Sequence, residues 1–269
     1  MRIDIIAGAR PNFMKIGPII KQITMFNATH PDTSFQYRLI HTGQHYDRNM
    51  SDSFFEQLGI PEPDINLGAG SGTQASQTAQ IMIGYEVAIQ EWKPDICIVV
   101  GDVNSTMACS IVAKKAGIKV AHVEAGIRSG DWSMPEEINR IVTDSITDYF
   151  FTTSEEANSN LKQAGHAENK IYYVGNTMID SLLDNLGKLK KPDFFDSSFA
   201  GEKYIVLTLH RPSNVDDPAK LAVLLDRIHD AVNDCKVLFP MHPRTRKIYT
   251  AIGKDYPQFV IVEPMSYLE

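Results

Sequence analysis

Three carboxylates are spaced so that they could share one reaction. Asp102 comes one residue after the apolar run Ile96-Cys97-Ile98-Val99-Val100 ends at Gly101. Glu124 closes a second run, Val120-Ala121-His122-Val123, and Glu136 follows Pro135 after a glycine-containing loop. Carboxyl groups aimed into one cleft can give and take protons, so the pattern points to acid/base chemistry. Between the two runs, Met107, Ile111 and Val112 recur at near-helical spacing and Gly117 is placed to end the helix. The stretch therefore predicts a βαβ unit with a carboxylate at the end of each strand. In open parallel sheets that edge is where ligands bind. Pro135 is suited to the first position of the next helix, with Glu137 beside Glu136 as a second candidate. Each carboxylate also has a plainer reading, as an anion at a helix N-terminus.

Cationic and polar groups stand at other predicted strand ends. The first strand, Ile3 to Ile6, runs into Gly8-Ala9-Arg10-Pro11-Asn12-Phe13-Met14-Lys15, where free N–H groups, Arg10 and Lys15 could hold an anion. This turn matches neither the dinucleotide fingerprint nor the P-loop, and two solvated cations would explain it as well. Tyr37 to Ile40 leads into His41-Thr42-Gly43-Gln44-His45-Tyr46-Asp47, a set that could bind a polar ligand. A short helix is expected at 53–58, a Pro/Gly-rich loop at 61–72, and a helix at 73–92. Further strands are expected at 149–152, 171–174, 204–209, 237–239 and 259–262, alternating with helices.

The fold class is α/β, with two Rossmann-like parallel units. The change of domain is expected near 173, giving an N-terminal domain at 1–173 and a partial nucleotide-binding domain at 174–269. Only three clear strands fall in the second, so the chain reads as a fragment of a longer protein. Its 269 residues carry a net charge of −7, which argues against nucleic acid as a partner. No apolar run approaches membrane-spanning length and no signal peptide opens the chain, so a cytoplasmic protein without membrane contact is expected. The 3 cysteines read as core thiols.

Seven segments together resemble the non-hydrolysing UDP-N-acetylglucosamine 2-epimerases: GARPNFMK at 8–15, TGQH at 42–45, GDVNST at 101–106, HVEAGIRSGD at 122–131, PEEINR at 135–140, GNTMID at 175–180 and LHRPSN at 209–214. The resemblance implies the glycosyltransferase-B architecture and inversion of C2 of UDP-GlcNAc to give UDP-ManNAc, used in polysaccharide biosynthesis. UDP is eliminated to leave 2-acetamidoglucal and then added back after reprotonation on the opposite face. It implies no metal or redox cofactor, and a homodimer formed through the first domain. Motif by motif, Asp102, Glu124, Glu136 and His210 become the catalytic candidates. Arg10, Lys15, Gln44, His45, Arg128, Arg211 and His242 become candidates for binding substrate.

The sequence departs from the family pattern in Ala9-Arg10-Pro11-Asn12 and in His210-Arg211-Pro212-Ser213. Gln44 and Arg211 match a network that binds a second substrate molecule in some bacterial members, but neighbouring positions differ. Other readings stay open: a sugar transferase of the same architecture, a hydrolysing epimerase, or a non-catalytic nucleotide-sugar-binding module.

Overall fold

The computed structural model describes residues 1–43, 55, 59–209, 211–232 and 234–269, with only the backbone of Arg10, Pro212 and Ser213. The helix expected at 53–58, apart from Phe55, and the candidates Gln44, His45 and His210 lie outside these residues. Contacts divide the chain into two compact units, Met1–Leu186 and Gly187–Glu269.

The first unit is a parallel sheet sandwiched between helices. Its elements in order are β1 (Arg2–Ala7), α1 (Arg10–Thr29), β2 (Gln36–His41), β3 (Ile65–Asn66), α2 (Gln74–Glu91), β4 (Ile96–Val100) and α3 (Asn104–Lys115). They continue with β5 (Lys119–Val123), α4 (Pro135–Ile146), β6 (Tyr149–Thr152), α5 (Glu155–Gln163), β7 (Ile171–Tyr173) and α6 (Thr177–Asn185). The seven strands lie in the order β3-β2-β1-β4-β5-β6-β7. The order reverses between β1 and β4, which makes their carboxyl ends the natural crevice. One face packs Tyr85, Ile81, Cys109 and Val112 against the sheet, the other Phe13, Ile16 and Ile20. Burial on both faces explains why β1, β4 and β5 read as continuous apolar runs.

Local chemistry fixes several helix starts. The Thr73 hydroxyl accepts the Ser76 N–H and that of Ser154 the Ala157 N–H, as N-caps. The Asn176 side chain accepts the Met178 N–H and so starts α6. In the expected loop at 61–72, the two residues of β3 pair with Ile40 and His41, too short a strand to show a period. The segment 174–186, which the sequence grouped with the second domain, goes with the first unit. There α6 packs on α1, the Ser181 hydroxyl donating to the Met14 carbonyl and Lys21 pairing with Asp184 at 2.7 Å.

The second unit has three parallel strands, β8 (Tyr204–Val206), β9 (Lys236–Pro240) and β10 (Phe259–Val262), in the order β10-β9-β8. The helices α7 (Pro218–Ala231) and α8 (Pro243–Ile252) join them. Leu221, Leu225, Val237, Phe239 and Tyr256 form its core. Both units are thus parallel α/β sheets of the Rossmann-like kind the sequence led one to expect. Among the described residues no helix is long and apolar enough to cross a membrane.

Candidate active site

β4 and β5 are neighbours with Val100 opposite Val123, so Asp102 and Glu124 leave the same sheet edge from adjacent strands. Gly101 makes the turn at φ +69°. A Cβ there would lie 3.1 Å from Lys15 Nζ, 3.4 Å from Glu124 Oε2 and 3.5 Å from Asn12 Nδ2. Lys15, Glu124 and Asn12 therefore pack closely around a turn whose positive φ favours glycine. Asn12 is the anchor: its Oδ1 accepts the Gly8 and Ala9 N–H groups, and its Nδ2 donates to the Val100 carbonyl at 3.1 Å. This fixes the first turn of α1, and with it Lys15, against the end of β4. The position therefore uses asparagine for its own geometry.

Glu124 stands in the left-handed region at φ +70°, the one non-glycine residue to do so among the described residues. That conformation costs a non-glycine residue about 1–2 kcal/mol. Two hydrogen bonds over-determine it, since the Glu124 and Ala125 N–H groups both donate to the Phe151 carbonyl, at 2.9 and 3.1 Å. Strain held by the surrounding structure is typical of functional turns. The Glu124 carboxylate pairs with the Lys15 ammonium, both largely buried.

α4, which carries the third carboxylate, is bonded to the turn of the first. Asn139 Nδ2 donates to the Asp102 carbonyl at 2.8 Å. Arg140 donates from Nη2 and Nε to Asp102 Oδ2, at 2.6 and 3.1 Å. Asp102 Oδ1 accepts nothing among the described residues, and its side chain is 31% exposed. Glu136, half-buried in the first turn of the same helix, has no hydrogen-bond partner among the described residues. Its neighbour Glu137 is fully engaged, accepting from the Ser129 and Gly130 N–H groups, the Ser129 hydroxyl and Arg140. Burial alone would push its carboxyl up, but the hydrogen bonds from Ser129, Arg140 and Gly130 outweigh it and bring the pKa to about 2. Glu137 therefore ties down the loop 127–134, and Glu136 beside it is left unengaged among the described residues.

The same feature gives a pH dependence. A carboxyl whose folded pKa lies below its unfolded one stabilises fully above about 4.5, and the contribution fades as pH falls toward about 2. Trp132 in this loop should report the loss by fluorescence in that window, and Glu137→Gln should remove the transition.

The remaining candidates are distributed as follows. Arg128 turns inward, its Nη1 2.7 Å from Asp144 Oδ2. His242 is exposed and caps α8, its Nδ1 accepting the Arg244 N–H at 3.3 Å. Arg211 is exposed, and its carbonyl accepts the Asn214 and Val215 N–H groups in the second unit. The backbone of Arg10 opens α1. His41, read as a possible ligand-binding group, is buried; burial pulls its pKa down to about 4, and its Nδ1 accepts the Gly43 N–H. Sequence reasoning passed over Asn12, Asn139 and Arg140. The signal was present for Arg140, which lies one helical turn after Glu136 on the same motif.

The structure is a parallel α/β sheet with Asp102, Glu124 and Lys15 gathered at its carboxyl edge and the helix that begins at Glu136 bonded to Asp102. The model of the UDP-N-acetylglucosamine 2-epimerase family matches residues 27–269, and the chain belongs to that family. It is 41% identical to the UDP-N-acetylglucosamine 2-epimerase of Methanocaldococcus jannaschii, covering 100% of this chain and 75% of that protein. It is 38% identical to the UDP-2,3-diacetamido-2,3-dideoxy-D-glucuronate 2-epimerase of Pseudomonas aeruginosa, covering 100% of this chain and 74% of that one. The crystal structure of the M. jannaschii enzyme in complex with UDP-GlcNAc and UDP superposes with a TM-score of 0.84 and 41% identity, covering 100% of this chain and 75% of that one. The Neisseria meningitidis enzyme bound to UDP-GlcNAc gives 0.87 at 26% identity, covering 100% and 74%.

Proposed function

We infer that the protein inverts C2 of UDP-N-acetylglucosamine, giving UDP-N-acetylmannosamine by elimination and re-addition of UDP. The observation that carries this reading is the placement of Asp102 and Glu124 at one sheet edge, with the helix that begins at Glu136 bonded to Asp102, in a chain of the epimerase family. Taking a weakly acidic C2 proton while the C1–O bond breaks needs a base on one sugar face and an acid on the other. Asp102, with one oxygen held by Arg140 and the other unengaged, suits a fixed base or acid; Glu136 suits the opposite role. UDP leaves as an anion, so cations near the departing phosphates strengthen their contacts as charge develops. Lys15 and Arg10, at the start of α1, are the first unit's candidates for that role. Lys15 pairs with Glu124, so the cation and the carboxylate stand at the same sheet edge.

Within this reading His210 is a further catalytic residue, and Gln44, His45, Arg211 and His242 bind substrate. The enzyme acts in the cytoplasm as a homodimer through its first unit, supplying an N-acetylmannosaminyl donor for polysaccharide synthesis. The exposed Ile83 and Val87 on α2 support the dimer. The 38% identity to the P. aeruginosa protein favours one second reading, the same C2 inversion on a diacetamido uronate. Incubation with each nucleotide sugar, followed by chromatography of the products, tests both. Intact UDP-ManNAc is expected from UDP-GlcNAc. Free N-acetylmannosamine with UDP would mean a hydrolysing epimerase, and turnover of the uronate alone would move the substrate.

A further inference from the structure

His122 lies in the middle of an apolar run, is wholly buried, and takes no part in the chemistry assigned so far. Its Nε2 is 2.8 Å from the Gly101 carbonyl and its Nδ1 2.7 Å from Asp144 Oδ1. A carbonyl oxygen only accepts, so Nε2 carries a proton. Asp144 Oδ2 accepts the Gly126 N–H at 3.1 Å and faces Arg128 Nη1 at 2.7 Å, the surroundings of an ionised carboxylate. Burial alone would raise this carboxyl, but His122 and Arg128 outweigh it and hold it down. Facing a carboxylate, Nδ1 must donate as well. Both ring nitrogens therefore face acceptors, and the imidazole bridges the turn before Asp102 and α4.

The bonds join three parts of the site. Gly101 precedes Asp102; Gly126 follows Glu124; Asp144 belongs to α4, the helix that begins with Glu136. We propose that His122 is a positioning residue for the reaction, a double hydrogen-bond donor that sets the relative placement of the Asp102 and Glu124 turns through Asp144. The charged and titratable groups around it are Asp144 on α4 and Arg128 on the loop after β5, with His166 and Lys170 beyond that pair in the stretch after α5. The kinetic part rests on the epimerase reading; the protonation does not.

The full chain labelled with 15N in its imidazoles provides the test, with the His122 signals assigned by their loss in His122→Gln. Both ring nitrogens should show the one-bond N–H splitting of hydrogen-bond donors, one to the Gly101 carbonyl and one to Asp144. A proton-free nitrogen overturns the proposal. Misplacement of reacting groups by about 1 Å can cost roughly 10²-fold. His122→Gln should therefore lower kcat by about that factor with KM changed far less, and Asp144→Asn should do the same. The double variant should lose little beyond either single one, because both break one tie. Unchanged kcat per folded molecule in both variants would reduce the histidine to a packing role and sink the idea. A native protein with both protons in place that leaves UDP-GlcNAc untouched would refute the epimerase reading and uphold the tie.

Discussion

Replacing Asp102 with asparagine is expected to slow epimerisation by about 10²–10⁴-fold, the range that a positioned proton-transfer group contributes. The carboxamide keeps the volume and still offers an oxygen to Arg140, so the bonds that hold the turn, Asn139 to the Asp102 carbonyl and His122 to the Gly101 carbonyl, remain. What is lost is the capacity to accept and return a proton. Nucleotide-sugar affinity, measured by calorimetry, should change only a few-fold, while initial rates collapse. The same variant separates the epimerase from a binding module, which has no turnover to lose. A rate within a few-fold of the native one would remove Asp102 from the chemistry and shift the task to Glu124 or Glu136.

The second large effect concerns stability and lies away from the site. Asp4, wholly buried at the centre of β1, accepts from Arg38 Nε and Nη2, both at 2.9 Å, and from the Tyr85 hydroxyl at 3.1 Å. Burial pushes its carboxyl up more than Arg38 and Tyr85 draw it down, so this charge is kept in the interior at a cost. Asp4→Ala would leave the Arg38 guanidinium, stacked 4.3 Å from the Trp92 ring, with the Ala88 and Trp92 carbonyls as its acceptors. Breaking one side of a buried pair costs about 3–5 kcal/mol. Urea unfolding should show that loss, and Asp4→Asn, which keeps an acceptor, a smaller one. Turnover per folded molecule should stay near the native value, since β1 meets the site only through its far end. A loss below about 1 kcal/mol would mean that water reaches Arg38 when the carboxylate is gone.

Much of this architecture was legible beforehand because the strands of a doubly wound sheet are apolar on both faces and stand out between polar turns. β1, β4, β5 and β6 fall where their runs lie, and Thr73, Ser154 and Pro135 mark helix starts by their own chemistry. β3 escaped because two residues cannot show an alternation. α6 was grouped with the second domain because its apolar residues do not say which unit they face; the bond from Ser181 to α1 answers that. The carboxylates of the candidate site were visible as abrupt charges at strand ends. Their partners were not, because Asn12, Arg140 and His122 acquire meaning only from what the fold brings beside them. Glu136 and Glu137 are adjacent and chemically alike, yet Glu137 is consumed by the loop it holds. No spacing rule separates those two fates.

The central claim is a proton exchanged at C2 as UDP leaves and returns. Proton NMR of UDP-GlcNAc with the protein in D₂O follows both events in one time course. The account predicts that UDP-ManNAc appears with deuterium at C2 and that the anomeric signals shift in step. Appearance of UDP-ManNAc with its original C2 proton retained would contradict it, because no carboxylate would then have exchanged that proton with solvent.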